Sequence, residues 1–348
     1  MKDCCCSTTA PCGATDIAAP ENTSSGGVLE TGARLSLRDR LDGWKARWGI
    51  GRMRYTVMPG VYRLGNPSPD APVLVTANYK MTFDRVRKEL PGTDAWMLVL
   101  DTKGINVWCA AGKGTFGTDE LVRRIYTVNL ASLVSHRTLI LPQLGAPGVA
   151  AHEVRKKTGF KVVFGPVYAR DLPRFLASGM TATPDMRRVR FGLKDRLELI
   201  PMELLPALKW VPVISGVLAL FRMVDGSGLN AGFWKELVPL LGSVAVGATA
   251  FQVLLPWIPG RSFAFKGWLL GVAWAIAAAA WLRPAPWAAA SNLFILPPLS
   301  AFLALNFTGS STFTSLSGVK KEMRIAVPAM AVSAGLGIVL RFAPRLFS

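Results

Sequence analysis

Apolar and polar positions follow two regimes along the chain. Between about residues 72 and 176, short apolar runs alternate with segments of helical period, and beyond about residue 200 the apolar runs lengthen greatly. In the first region Pro72–Thr76, Trp96–Leu100, Thr138–Leu141 and Lys161–Phe164 read as strands. Phe83–Leu90, Asp119–Tyr126, Val149–Thr158 and Asp171–Leu176 read as helices. Strands that are apolar at consecutive positions are covered on both faces, and their alternation with helices predicts a parallel sheet. The fold class expected is an α/β, Rossmann-like parallel-sheet domain followed by an all-α transmembrane bundle of about five helices.

Crossing the hydrocarbon of a bilayer takes about 20 mainly apolar residues. Five stretches qualify: Leu204–Met223, Leu237–Ile258, Phe263–Leu282, Trp287–Phe307 and Ile325–Phe342. Trp210, Trp234, Trp257 and Trp287 stand near their ends, as interfacial rings do. Pro206, Pro212, Pro239, Pro297, Pro298 and Pro328 fall within them, which membrane helices tolerate when neighbours satisfy the freed carbonyls. Transport usually leaves ionisable residues deep in the bundle, and the one candidate read there is Lys209, near the start of the first span, so an anchor is favoured over a transport path. The organisation expected is a weakly ordered, Cys-containing tail at 1–49, an α/β domain at 50–182, a basic linker at 183–203 and a transmembrane domain at 204–348.

Charge changes the picture in one respect. The 40 Lys and Arg against 22 Asp and Glu give a formal net charge of +18. The excess clusters beside the spans, at Arg187, Arg188, Arg190, Lys194 and Arg196 and again at Lys320, Lys321 and Arg324. Cations in that position are retained on the cytoplasmic side and attract anionic lipid. Counting Lys and Arg in the short loops places the α/β domain in the cytoplasm, at the inner membrane, and the C-terminus outside. Membrane lipid is therefore an expected partner. No nucleic-acid-binding motif accompanies the charge, so nucleic acid is not. The polar loop at 306–324 is long among short ones and falls on the cytoplasmic side by the same count.

Of the five cysteines, Cys4, Cys5, Cys6 and Cys12 crowd the start and Cys109 stands alone. That placement does not resemble a secreted disulfide framework and fits a reducing compartment. The first 30 residues are polar, so no cleaved export signal is expected.

In a parallel sheet, ligands bind beyond the carboxyl ends of the strands. Here those ends are Ala77-Asn78, Asp101–Gly117, Gln143–Gly148 and Gly165-Pro166, all rich in small residues, Gly or Pro. Gly112–Gly117 matches GxGxxG, but it does not directly follow a strand and no acid stands about 20 residues on, which argues against a dinucleotide site. Gly104 and Gly112 bracket a two-turn helix containing Cys109, four residues before Lys113. A cysteine there is a candidate thiolate, and a buried inert thiol explains the local pattern equally well.

The run GINVWCAAGK at 104–113 resembles the cap helix of the HgcA family, the corrinoid subunits of the microbial mercury-methylating pair. TANYKMTFD, LVLDTKG, GKGTFGTDELVRRI and LILPQLGAPGVAAHEV are similar to the corrinoid domain shared with the corrinoid iron–sulfur protein of the acetyl-CoA pathway. The five spans and the NFTGSST…SGVKKEMR loop resemble the mercury-methylating family too. The resemblance covers residues 50 to 345 and leaves out the cysteine-rich start. It implies a cobalamin-type corrinoid with Cys109 as the lower axial ligand to cobalt, which is both the catalytic and the metal-ligating role. It implies that Asn106, Val107 and Trp108 position the cap, and that Gly112, Gly114, Thr115 and Gly117 shape its exit, while Ala110 and Ala111 beside Cys109 are small enough to let a planar ligand approach closely. Thr76, Gln143, Gly145, Ala146 and Gly165 would contact the corrinoid. The implied activity is transfer of a methyl group to Hg(II), forming methylmercury. The alternative is a membrane-tethered methyl carrier of one-carbon metabolism that methylates mercury incidentally. The implied partners are a methyltetrahydrofolate-linked methyl donor and an HgcB-type ferredoxin with two 4Fe–4S clusters, docking at the 306–324 loop and the basic membrane-proximal face.

Overall fold

The computed structural model describes residues 27–224, 226–307 and 316–346. It divides after Val189 into two compact units, with Arg47–Gly49 grouping with the second. Cys4, Cys5, Cys6 and Cys12, and residues 308–315 of the stretch read as a polar loop at 306–324, lie outside the described residues, while 316–324 is helical rather than loop.

The first unit is built on a six-stranded sheet. Its strands are β1 (Leu29–Thr31), β2 (Gly60–Leu64), β3 (Val73–Ala77), β4 (Ala95–Leu100), β5 (Thr138–Leu141) and β6 (Lys161–Phe164), in the order β1-β2-β4-β3-β5-β6. The four expected strands pair in parallel, with Val73 opposite Trp96 and Leu139, and Leu141 opposite Phe164. The sheet is nevertheless mixed, because β2 runs antiparallel to β4 and carries β1 beyond it. The stretch read as tail to residue 49 thus supplies, from Gly27 on, an edge strand and helix α1 (Leu37–Arg47). Three-residue β1 is too short to carry a strand pattern of its own. It is recruited by the ladder along Tyr62, Arg63 and Leu64.

Side chains alternate across the sheet. Val73, Val75, Ala77, Leu98, Leu100, Leu139 and Leu141 enter one core, whereas Leu74, Met97, Val99 and Ile140 enter the other. Alternation with both faces buried is why these strands read as unbroken apolar runs. Helices α3 (Val107–Lys113), α4 (Thr118–Thr127), α5 (Leu130–Leu133) and α6 (Ala151–Thr158) bury residues on the first face. Helices α2 (Lys80–Lys88) and α7 (Leu172–Ala177) cover the second through Phe83, Leu172 and Phe175.

The second unit is helical. Helices α8 (Leu193–Leu197), α9 (Ile200–Leu208) and α10 (Val211–Val224) follow one another closely. Next come α11 (Ala231–Ala245), a π turn at Val246–Ala250 and α12 (Phe251–Leu254). Helices α13 (Phe263–Leu282), α14 (Pro286–Asn306) and α15 (Leu316–Leu346) complete it. Among the described residues five helices are long and apolar enough to cross a membrane: Leu193–Val224, Ala231–Leu254, Phe263–Leu282, Pro286–Asn306 and Gly318–Phe342. Small residues let them close up. A Cβ at Gly267 would lie 2.5 Å from Ala304 Cβ, and one at Gly271 would lie 2.5 Å from Pro297 Cα.

The basic segment 183–203 is not a free linker. Met186 is buried in the sheet unit, Phe191 in the helical one, and the first span begins at Leu193. The reading of ionisable groups also changes. Lys209 is exposed at the end of α9, whereas Arg196 and Lys266 are buried. Arg196 donates to Gln252 O and Val253 O, and Lys266 donates to Leu255 O at 2.8 Å. Both cations meet the free carbonyls of one helix end, which compensates their burial without a carboxylate.

Candidate functional site

The carboxyl ends of the parallel strands are organised around Asn78, directly after β3. Its buried Oδ1 accepts the N–H groups of Thr102 at 3.1 Å and Gly104 at 3.0 Å, and its own N–H donates to Leu100 O. The segment leaving β4 is thereby pinned to the end of β3. It then reverses through Lys103 (φ 59°) and Gly104 (φ 70°). A Cβ at Gly104 would meet Thr56 Cγ2 at 2.8 Å, so this left-handed position takes glycine on two counts. Lys103 Nζ lies 2.5 Å from Asp101 Oδ2. Burial opposes ionisation of Asp101, yet hydrogen bonds from Lys103 hold its carboxyl below the usual range. Burial works against Glu120 in the same way. The Asp101 N–H and the guanidinium groups of Arg124 and Arg123 outweigh it and keep Glu120 ionised. Asn78 and Glu120, absent from the expected site, are the residues that fix this turn. Their signal in the sequence was modest: polar residues set where a buried strand end and an amphipathic helix begin.

Helix α3 starts where the turn ends. Asn106 is its N-cap, and its Oδ1 accepts the Cys109 N–H at 2.9 Å. Val107, Ala110 and Ala111 are buried against the sheet. That stripe leaves Trp108, Cys109, Gly112 and Lys113 on the outer face. The Cys109 thiol is free and exposed, which excludes the buried, inert alternative. Gly114 (φ 80°) ends the helix, and Thr115 and Phe116 both return N–H bonds to Ala110 O. Gly117 is the N-cap of α4, and a Cβ there would lie 2.7 Å from Gly114 O. The glycines of the GxGxxG stretch therefore serve a helix-to-helix turn, apart from exposed Gly112, which has open space around it.

The 143–148 turn packs under this cap. A Cβ at Gly145 would stand 2.5 Å from Phe116 Cε1, and one at Gly148 would stand 2.2 Å from Phe116 O. Gly145 is thus covered by the Phe116 ring, while Ala146 beside it is half-buried. The structure brings residues 106–117 together with Gln143–Gly148. Thr76 and Gly165 instead share the sheet's other face: Thr76 has the parity of Leu74, and Gly165 lies against Ile140 and Phe175.

Two buried side-chain oxygens of the described sheet unit lack a hydrogen-bond partner, Thr76 Oγ1 and Gln143 Oε1. Both lie at the carboxyl edge, beside the ends of β3 and β5. An unsatisfied buried polar atom costs about 1–3 kcal/mol. Gln143 Oε1, in the turn under the cap, marks where a further group would be accommodated, whereas Thr76 Oγ1 belongs to the sheet's other face.

Residues 51–176 match the family described as CO dehydrogenase/acetyl-CoA synthase delta subunit. Similar curated proteins include the acetyl-CoA decarbonylase/synthase complex subunit gamma of Methanopyrus kandleri, 34% identical over 34% of this chain and 26% of the relative. The same subunit of Archaeoglobus fulgidus is 34% identical over 32% of this chain and 24% of the relative. That of Methanocaldococcus jannaschii is 34% identical over 33% and 23%. The chain thus spans about a quarter of the length of these relatives. The homologous region runs from just before β2 to α7 and contains the whole carboxyl edge with its cap, but none of the apolar helices.

Proposed function

We propose that the sheet unit binds a cobalamin-type corrinoid at its carboxyl edge, with the Cys109 thiolate as the lower axial ligand to cobalt, and that the chain transfers a methyl group to Hg(II). The observation that carries this reading is the free, exposed thiol on a capped short helix at the edge where Gln143 Oε1 stands buried and unpartnered. Homology to subunits named for acetyl-CoA complexes supports it. The donor set on the cap side suits the group: one soft thiolate and one orphaned oxygen, with the small residues Gly112 and Ala146 in the same two segments.

The corrinoid supplies the methyl-carrying metal when bound. The protein's own work is positional. Asn106 fixes the start of α3, so the Cys109 side chain is presented from a held backbone rather than a loop. Phe116, seated over Gly145, ties the cap to the 143–148 turn. Trp108 and Lys113 flank the thiol on the outer face. A thiolate is a strong soft donor, and donation from it favours delivery of a methyl group to a soft electrophile such as Hg(II).

On this reading an HgcB-type ferredoxin supplies electrons, and a methyltetrahydrofolate-linked donor supplies the methyl group. The spans hold the chain in the inner membrane, with the sheet unit cytoplasmic and the C-terminus outside, as the Lys and Arg of the short loops suggest. Homology to acetyl-CoA complex subunits favours one alternative, a membrane-tethered methyl carrier of one-carbon metabolism. The full chain in detergent, loaded with methylated corrinoid and given Hg(II) with a ferredoxin reductant, decides between them. Methylmercury that depends on Cys109 supports the first. Transfer to a folate-type acceptor that survives Cys109→Ala, with none to Hg(II), supports the second.

A further inference from the structure

Helix α1 is mounted the opposite way round from a surface helix of a water-facing domain. Toward the unit it turns Ala46, which is buried, and Asp39, which accepts from Lys80 Nζ at 2.5 Å and from Arg87 Nη2 at 2.9 Å, while Tyr55 Oη lies 3.2 Å from Asp39 O. Burial would raise the Asp39 carboxyl, but those hydrogen bonds hold it well below its usual range, so the inward contact is a charged one. Its large apolar residues point outward. Leu37, Leu41 and Trp44, at i, i+4 and i+7, are 77%, 59% and 57% exposed. In a helix of a soluble domain that stripe faces the core. Ile50 and Met53, just past the helix, are also exposed. Exposed cations interleave with them at Arg38, Arg40, Lys45 and Arg54. The two carboxylates of α1 are engaged within the unit: Asp39 as above, and Asp42 beside Arg38 and Lys45.

An apolar stripe with a tryptophan, flanked by cations, is the composition of a helix that lies in the plane of a membrane interface. We propose that α1 is such a helix, seating Leu37, Leu41 and Trp44 at the headgroup–acyl boundary of an anionic bilayer, with Arg38, Arg40, Lys45 and Arg54 on lipid phosphates. The proposal rests on the five apolar helices being spans, which keep the chain at a bilayer. Charge separates this occupant from a second copy of the chain. A two-fold pairing of α1 would set its cations against the same cations, whereas an anionic surface complements them.

The test uses the full chain in nanodiscs of phosphatidylcholine, with and without phosphatidylglycerol. The lipid carries a diazirine near the glycerol end of one acyl chain, and adducts are mapped by mass spectrometry. Adducts on residues 37–44 are expected, rising several-fold with phosphatidylglycerol and lost in Leu41→Glu/Trp44→Glu, while adducts on Phe263–Leu282 stay constant. Labelled Phe263–Leu282 with bare α1 in both lipids would overturn the proposal, as would protein–protein cross-links through α1. If Phe263–Leu282 is bare too, the span reading itself fails and takes the proposal with it. Should the double variant misfold, the dependence of the parent chain on lipid composition still decides.

Discussion

Asn106 Oδ1 accepts the backbone N–H of Cys109 at 2.9 Å, so the residue that begins the helix also fixes the residue proposed to act from it. Replacing an N-cap Asn by Ala costs about 1 kcal/mol. In a helix as short as α3 this is a large share of its local stability. Asn106→Ala is expected to speed amide exchange across Val107–Lys113 about five- to tenfold, and Asn106→Asp to leave it near the parent rate. Hydrogen exchange read by mass spectrometry checks both.

Phe116 and Gly145 make a second such pair. A methyl group at Gly145 enters the Phe116 ring, and overpacking of this kind costs about 1–3 kcal/mol. Gly145→Ala should lower the midpoint of thermal unfolding of the sheet unit and loosen the cap. Gly112→Ala, with nothing within 4 Å of the new atom, should not. Thermal denaturation of the two variants side by side is the measurement, with opposite outcomes expected for two glycines of one candidate site.

The mount of α1 should be sensitive to acid. The Asp39 carboxyl is depressed in the folded chain, so the stability it contributes is fully present above the unfolded carboxylate value of about 4. It is lost as pH falls through the folded value. Asp39→Asn should therefore weaken the protection of Leu37–Arg47 at neutral pH, and the gap from the parent chain should close as pH drops below about 4. Exchange rates corrected for their intrinsic pH dependence give the comparison.

The sequence showed those parts of the fold whose side chains carry the pattern alone. The four parallel strands are apolar at nearly every position because both their faces are buried, and the spans stand out by length. Gly60–Leu64 escaped notice because Arg63 interrupts it, and Leu29–Thr31 because three residues hold no period. The outward thiol was legible in hindsight. Val107, Ala110 and Ala111 form an inward i, i+3, i+4 stripe, which leaves Cys109 on the other side. The seat of Phe116 over Gly145 was not, since nothing local announces a contact 29 positions away. For the same reason the burial of Lys266 was not legible: its partner, the carbonyl of Leu255, is a backbone group on another element.

A cobalt–sulfur bond through Cys109 is tested most directly by X-ray absorption at the cobalt K edge on the corrinoid-loaded full chain. The parent chain should show a sulfur scatterer in the cobalt shell, and Cys109→Ala should lack it while still retaining corrinoid. A shell without sulfur in the parent chain, or one unchanged by Cys109→Ala, would contradict the assignment.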